Sequence, residues 1–303
     1  MANSKKNQRS ITRNPEQHAF AIAQAVDTAW QKANNSGRRD VPLSVAATLA
    51  LVGQRDPNGP DLGDQLRALT ADEFAEISRQ IWTQLVNARP DLTHLVYPLM
   101  QWLFTDPEPA LRQAARSTAE AALDAGQLQL TGTDARYDAD LLGIVLTLLK
   151  SRTAVGANAQ VYTPNSIASI LAHLNTPEED TSVQDPAVGS GGLFRAAAEA
   201  MREKGRDPTT VTWAGCDIDE LAIAACAVNS ILWGLGTRML LYVGDTLVEG
   251  DWATRAHQQR AEILHVAETV RRDKRMIAAV RAAQHLTELV AEDMPEQERP
   301  AHE

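Results

Sequence analysis

Between Thr181 and Asp245, three short runs of β-forming residues, TSVQD, TVTWAGCD and RMLLYVGD, alternate with two runs of helical texture. The first of these spans Gly192 to about Lys204 and the second Asp219 to about Leu235. Such alternation confines a chain to few folds, because neighbouring parallel strands need a crossover helix between them and the crossover is right-handed. The reading is an α/β fold, a Rossmann-like parallel sheet of about three strands. Ligands of such sheets bind beyond the carboxyl ends of the strands. Each run ends on an aspartate, Asp185, Asp217 and Asp245, so three carboxylates are expected along that end of the sheet.

The residues before the alternation have a different texture. From about 14 to 150, segments such as EQHAFAIAQAVDTAWQKA, TADEFAEISRQIWTQLV and ADLLGIVLTLLK carry apolar residues at helical spacing. Turn-rich breaks at NNSGRRDVP, GQRDPNGPD, NARPD, TDPEP and GQLQLTGTD separate them. Thr70 with Glu73 makes a capping-box pattern. After Asp245 no further strand is expected. Ile263, Ala267, Val270, Ile277, Val280 and Leu286 predict an amphipathic helix or helix pair, with RRDKR at Arg271–Arg275 as a polar interruption. The expected organisation is a flexible arm over 1–13, an N-terminal α-helical domain over 14–150, a truncated α/β domain over 151–250, C-terminal helices over 251–291 and a disordered tail over 292–303.

Charge and composition narrow the function. A formal net charge of −10 argues against a generally basic surface that grips nucleic acid. The local positive clusters are RRDKR and the arm residues Lys5, Lys6, Arg9 and Arg13. Cys216 and Cys226 have no histidine pair beside them and read as small buried residues, neither a zinc site nor a disulfide framework. No run approaches the roughly 18 apolar residues of a membrane span. The N-terminus lacks the apolar core of a signal peptide, so a cytoplasmic protein without a membrane partner is expected.

The first strand run leads into the glycine-rich turn DPAVGSGG, Asp185 to Gly192. A dinucleotide-binding turn would want G-x-G-x-x-G, and glycines at 189, 191 and 192 misplace the third. A P-loop would need Gly-Lys-Ser/Thr, and the turn has no lysine. The third reading is S-adenosyl-L-methionine, which has no pyrophosphate to cradle but has an ammonium and a ribose that both need acceptors. Asp185 can accept from the ammonium, and Gly189 to Gly191 let the ligand approach the main chain. Asp217 is placed to accept from both ribose hydroxyls, as an acid does one βα unit on in dinucleotide folds. Ile218 would flank the adenine and Asp245 would accept from its N6 amine, whereas Asp219 reads as a helix cap.

These residues resemble a known family. DPAVGSGG is similar to the cofactor-binding signature of DNA adenine-N6 methyltransferases, particularly the methylation subunits of type I restriction-modification systems. GANAQVYTPNSIASILAHL resembles that family's Gln-aromatic-Thr-Pro segment, whose following helix closes over the methionine end of the cofactor. GCDIDELAIAACAVNSILWGLG resembles its acidic ribose motif, and GDTL its adenine-contacting motif, in the family's order across residues 156 to 247. The resemblance implies S-adenosylmethionine contacts at Gln160, Tyr162, Thr163, Pro164, Asp185, Ala187, Gly189, Ser190, Gly191, Asp217, Ile218 and Asp245. It also implies DNA as a partner, reached through or with a specificity subunit or a second methyltransferase subunit.

The chain departs from the family in one respect. Methylating an exocyclic amine requires a flipped base held by polar acceptors and stacked on an aromatic ring. In the family this is Asn/Asp-Pro-Pro-Tyr/Phe, and no such tetrapeptide occurs in these 303 residues, so no catalytic residue is assigned. A fourth strand would lie beside the first, whose outer edge the C-terminal helices are expected to cover. The expectations are therefore an S-adenosylmethionine-binding member of the family or, alternatively, a catalytically silent regulatory or assembly subunit or one part of a split methyltransferase.

Overall fold

The computed structural model describes residues 14–34, 37–53, 61–151 and 165–292. The chain divides into two compact units, Met1–His257 and Gln258–Glu303. Among the described residues of the first unit eight α-helices precede the crossover region: α1 (Pro15–Ala33), α2 (Asp40–Leu51), α3 (Leu62–Ala68), α4 (Ala71–Ala88), α5 (Thr93–Phe104), α6 (Pro109–Asp124), α7 (Gln127–Thr131) and α8 (Leu141–Ser151). The capping box forms at the start of α4, where the Thr70 hydroxyl accepts from the Glu73 N–H and the Glu73 carboxylate accepts from the Thr70 N–H. Two short helices depart from the expected pattern. α3 follows Asp61, whose side chain accepts from the Asp64 N–H. α7 occupies the expected break after Asp124: Gly126, at φ 90°, ends α6, and buried Leu130 then draws a further helical turn into the core.

Then follow α9 (Asn165–Leu174), β1 (Ser182–Asp185), α10 (Gly192–Glu203), β2 (Thr212–Asp217), α11 (Glu220–Leu232) and β3 (Met239–Val243). The strands pair in parallel in the order β1-β2-β3, with Asp185 opposite Gly215 and Asp217 opposite Val243. The three-stranded α/β sheet expected from the sequence is therefore present among the described residues.

Side-chain alternation along the strands separates two faces. Trp213, Met239 and Leu241 join the large core that also contains α10, α11 and the N-terminal helices. Ala214, Cys216, Leu240 and Tyr242 point to the other face. α11 is apolar almost all round, with Ala222 through Val228 buried, because it packs on the sheet on one side and on α2, α5 and α8 on the other. The helical segment and the sheet thus share one core, stitched by Trp233, whose indole N–H donates to the Ala139 carbonyl at 3.4 Å.

α12 (Trp252–Glu292) begins by burying Trp252 and Ala256 against Ala214, Cys216, Leu240 and Tyr242. Its first turns cover the β2–β3 face, because that face is apolar and would otherwise be wet. No strand among the described residues pairs with the outer edge of β1. In the second unit the helix runs unbroken through Arg271–Arg275. Arginine and lysine are good helix formers, so polarity there marks a solvated stretch and not a break. No helix of the described residues is long and apolar enough to cross a membrane.

Candidate functional site

The parallel sheet brings the three expected carboxylates to one end of the molecule, and backbone hydrogen bonds lock the strand ends together. The Val188 N–H donates to the Cys216 carbonyl at 2.9 Å, and the Gly244 N–H to the Asp217 carbonyl at 3.0 Å. The Thr246 hydroxyl closes the set by donating to the Pro186 carbonyl at 3.2 Å.

Asp217 is the centre of the arrangement. One carboxylate oxygen accepts from the Gly189 N–H at 2.9 Å and the other from the Asp219 N–H at 2.9 Å. Each oxygen keeps a second lone pair. The residue is half-buried, and Ile218 beside it is 69% exposed. Asp185 is buried and accepts from the Ala187 N–H at 3.0 Å. Burial pushes its carboxyl pKa above the ordinary carboxylate range; the Ala187 N–H opposes this and the nearby Asp217 adds to it. Asp245 lies two residues beyond β3 and accepts from the Leu247 N–H at 3.0 Å. Asp219 caps α11 as expected, accepting from the Leu221 N–H, and forms an ion pair with Lys150 of α8. The cysteines are buried as expected. Burial pushes the Cys216 thiol up to about 11 and the Cys226 thiol well above the ordinary cysteine range, so neither is a nucleophile at neutral pH.

The glycines of the turn have different tasks. Gly189, at φ 55°, has open space where a side chain would begin. A ligand can therefore lie against the main chain there. Gly191, at φ 96°, is a packing glycine: a Cβ would stand 3.1 Å from both the Cys226 sulfur and the Trp233 ring. Gly191→Ala should destabilise the fold by about 2–5 kcal/mol, combining left-handed strain with overpacking. Denaturant unfolding checks this, and an unchanged midpoint would refute the packing role.

Ser190, between the two, turns inward. It is buried, and its hydroxyl donates to Asp140 Oδ2 at 2.6 Å. The Asp140 carboxylate also accepts from the Gly143 N–H at 2.9 Å, as the cap of α8, and from Asn229 Nδ2 at 2.8 Å. Asn229 Nδ2 donates in addition to the Ser190 carbonyl at 2.9 Å. Sequence reasoning placed Ser190 in the site but missed Asp140, fifty residues earlier in the chain. Ala187 is exposed at the mouth of the turn. Gln160, Tyr162, Thr163 and Pro164 lie outside the described residues, so of that expected segment only its following helix, α9, is seen.

The strand ends thus bring Asp185, Asp217 and Asp245 together with the open backbone at Gly189 and the exposed Ile218. Part of the chain is similar to known proteins. Residues 138–266 match the model of the N-6 DNA Methylase family. The Type I restriction enzyme MjaVIII methylase subunit of Methanocaldococcus jannaschii is 31% identical over 90 residues, which span 29% of this chain and 15% of that subunit's length. The crystal structure of the type I restriction-modification system methyltransferase subunit from Streptococcus thermophilus aligns at a TM-score of 0.48 with 16% identity, covering 78% of this chain and 60% of that one.

Proposed function

We propose that this chain, whose residues 138–266 match the model of the N-6 DNA Methylase family, is a member of that family and binds S-adenosylmethionine at the carboxyl ends of its three strands. The observation that carries the reading is the Gly189–Asp217 junction. The turn is held open at Gly189 by a carboxylate that still has two acceptor positions to offer. Asp217 accepts from the ribose hydroxyls, Asp185 from the methionine ammonium and Asp245 from the adenine amine, while Ile218 lies against the adenine ring. Gln160, Tyr162, Thr163 and Pro164 would approach the methionine end. The cofactor, when bound, supplies an electrophilic methyl group on a sulfonium. The acidic strand ends suit its positive charge, and the left-handed turn lets it rest on main-chain amides.

A second reading, favoured by the lack of an Asn/Asp-Pro-Pro-Tyr/Phe tetrapeptide in these 303 residues, is that the groups which hold a flipped adenine are supplied from outside them. DNA is then met with a partner, and the net charge of −10 suits a subunit that leaves phosphate binding to others.

Calorimetry with S-adenosylmethionine and its demethylated product tests the first reading, and no heat with either would refute it. A tritiated-methyl transfer assay on mixed-sequence DNA tests the second. Label incorporated by this chain alone, and lost in Asp185→Ala, would overturn it.

A further inference from the structure

We propose that Asp140 is a positioning residue for the ligand turn: from the start of α8 its carboxylate fixes Ser190, and thereby presents the Gly189 amide to Asp217. The inference concerns the site of the reading above and rests on it for the ligand, but not for the turn itself.

The buried triad joins three distant pieces of chain. Asp140 is 1% exposed, Ser190 2% and Asn229 1%. A buried carboxylate is tolerated when its lone pairs are taken up by donors. Here Oδ1 receives Gly143 and Asn229, and Oδ2 is directed at Ser190. Capping α8 needs only the first oxygen, a task an asparagine or serine performs equally well. The second oxygen has a different consequence. Ser190 stands between Gly189 at φ 55° and Gly191 at φ 96°, two residues whose backbones are the freest in the turn. Pinning the residue between them by its side chain, and by its carbonyl through Asn229, removes the rotation that would swing the Gly189 N–H away from Asp217. The turn is thus held from two sides, by Asp217 at Gly189 and by Asp140 at Ser190. Because Asp140 belongs to the N-terminal helical segment, that segment sets the shape of the ligand site without touching a ligand.

The test compares Ser190→Ala and Asp140→Ser, which keeps a cap oxygen for α8 but has no second oxygen for Ser190, with a control, Ser44→Ala. The control removes a buried hydroxyl that accepts from the Trp102 indole N–H at 2.9 Å, remote in the chain from the turn. Hydrogen exchange of the ligand-free proteins, well below their unfolding temperatures, should show amides 187–192 exchanging at least about tenfold faster in both test variants and unchanged in the control. Exchange along α8 should be unchanged in Ser190→Ala, which keeps the cap. Affinity for S-adenosylhomocysteine should fall about tenfold in each test variant and no further in the double variant, because both break one connection. Unaltered exchange at 187–192, additive losses of affinity, or an equal loss in Ser44→Ala would overturn the proposal. Should Asp140→Ser fail to fold, Ser190→Ala decides alone. Should the wild type bind no nucleoside, the cofactor reading fails and the exchange result still decides this one.

Discussion

Asp217→Ala is expected to weaken S-adenosylmethionine binding at least about 100-fold, since hydrogen bonds to a charged acceptor contribute about 1.5–3 kcal/mol each and two ribose hydroxyls lose theirs. The loss has a second source. Asp217 also holds the Gly189 N–H at 2.9 Å and the Asp219 N–H at 2.9 Å, so the alanine variant frees the turn as well as removing the acceptor. Asp217→Asn separates the two effects. Its amide oxygen can still accept from one backbone N–H, while its NH2 group faces the other as donor against donor. Asn should therefore lie between wild type and Ala in affinity. Calorimetry on the three proteins measures this, with 2′-deoxyadenosine analogues of the cofactor as the discriminating ligand. The analogue should lose affinity against wild type and lose little against Asp217→Ala, because the hydroxyl it lacks has no partner there. An Ala variant that binds the cofactor as tightly as wild type would remove Asp217 from the site.

Much of this site was legible in the sequence, for physical reasons. A β-run that ends on aspartate and is followed by a helical run can hardly be placed except at the carboxyl end of a parallel strand. Asp185 and Asp217 are the last residues of β1 and β2, and Asp245 follows β3 by two. The glycines at 189 and 191 were legible as a turn, but not as one open and one packed glycine. That difference is set by Cys226 and Trp233, which reach Gly191 from α11 and its end. Asp140 was not legible at all. In the run YDAD it looks like one of several turn acids, and only the packing of α8 against α11 brings it under Ser190. The seat of the first turns of α12 was not legible for a related reason: that Trp252 and Ala256 meet the face of Ala214, Cys216, Leu240 and Tyr242 is decided by apolar area in three dimensions. The Gln160–Pro164 segment falls outside the described residues and rests on its resemblance.

Asp185→Asn should separate stability from binding, and in opposite directions. The Asp185 carboxyl is 8% exposed, and burial pushes its pKa up from 3.8, with Asp217 adding to the shift and the Ala187 N–H opposing it. A carboxyl whose folded-state pKa is raised favours the fold most when protonated. That contribution is complete below its unfolded value and is lost as pH rises through the folded value. Above the raised pKa the ligand-free wild type carries an ionised, partly desolvated group, which asparagine replaces with a neutral one that can still accept from the Ala187 N–H at 3.0 Å. The ligand-free Asn variant should melt at or above the wild-type temperature at pH 7, and the difference should shrink as pH falls toward 4. Binding should respond the other way. Without the negative charge the methionine ammonium loses a charge-assisted acceptor, and affinity should drop about 10- to 100-fold. For wild type, affinity should weaken as pH falls through the raised Asp185 pKa, and binding near that pH should release a proton, because a cation beside the carboxylate lowers its pKa again. Calorimetry at pH 5 and pH 7, in buffers of different ionisation heat, reads both the affinity and the proton. If the Asn variant binds as tightly as wild type, or keeps the same pH dependence, the ammonium is not held by Asp185.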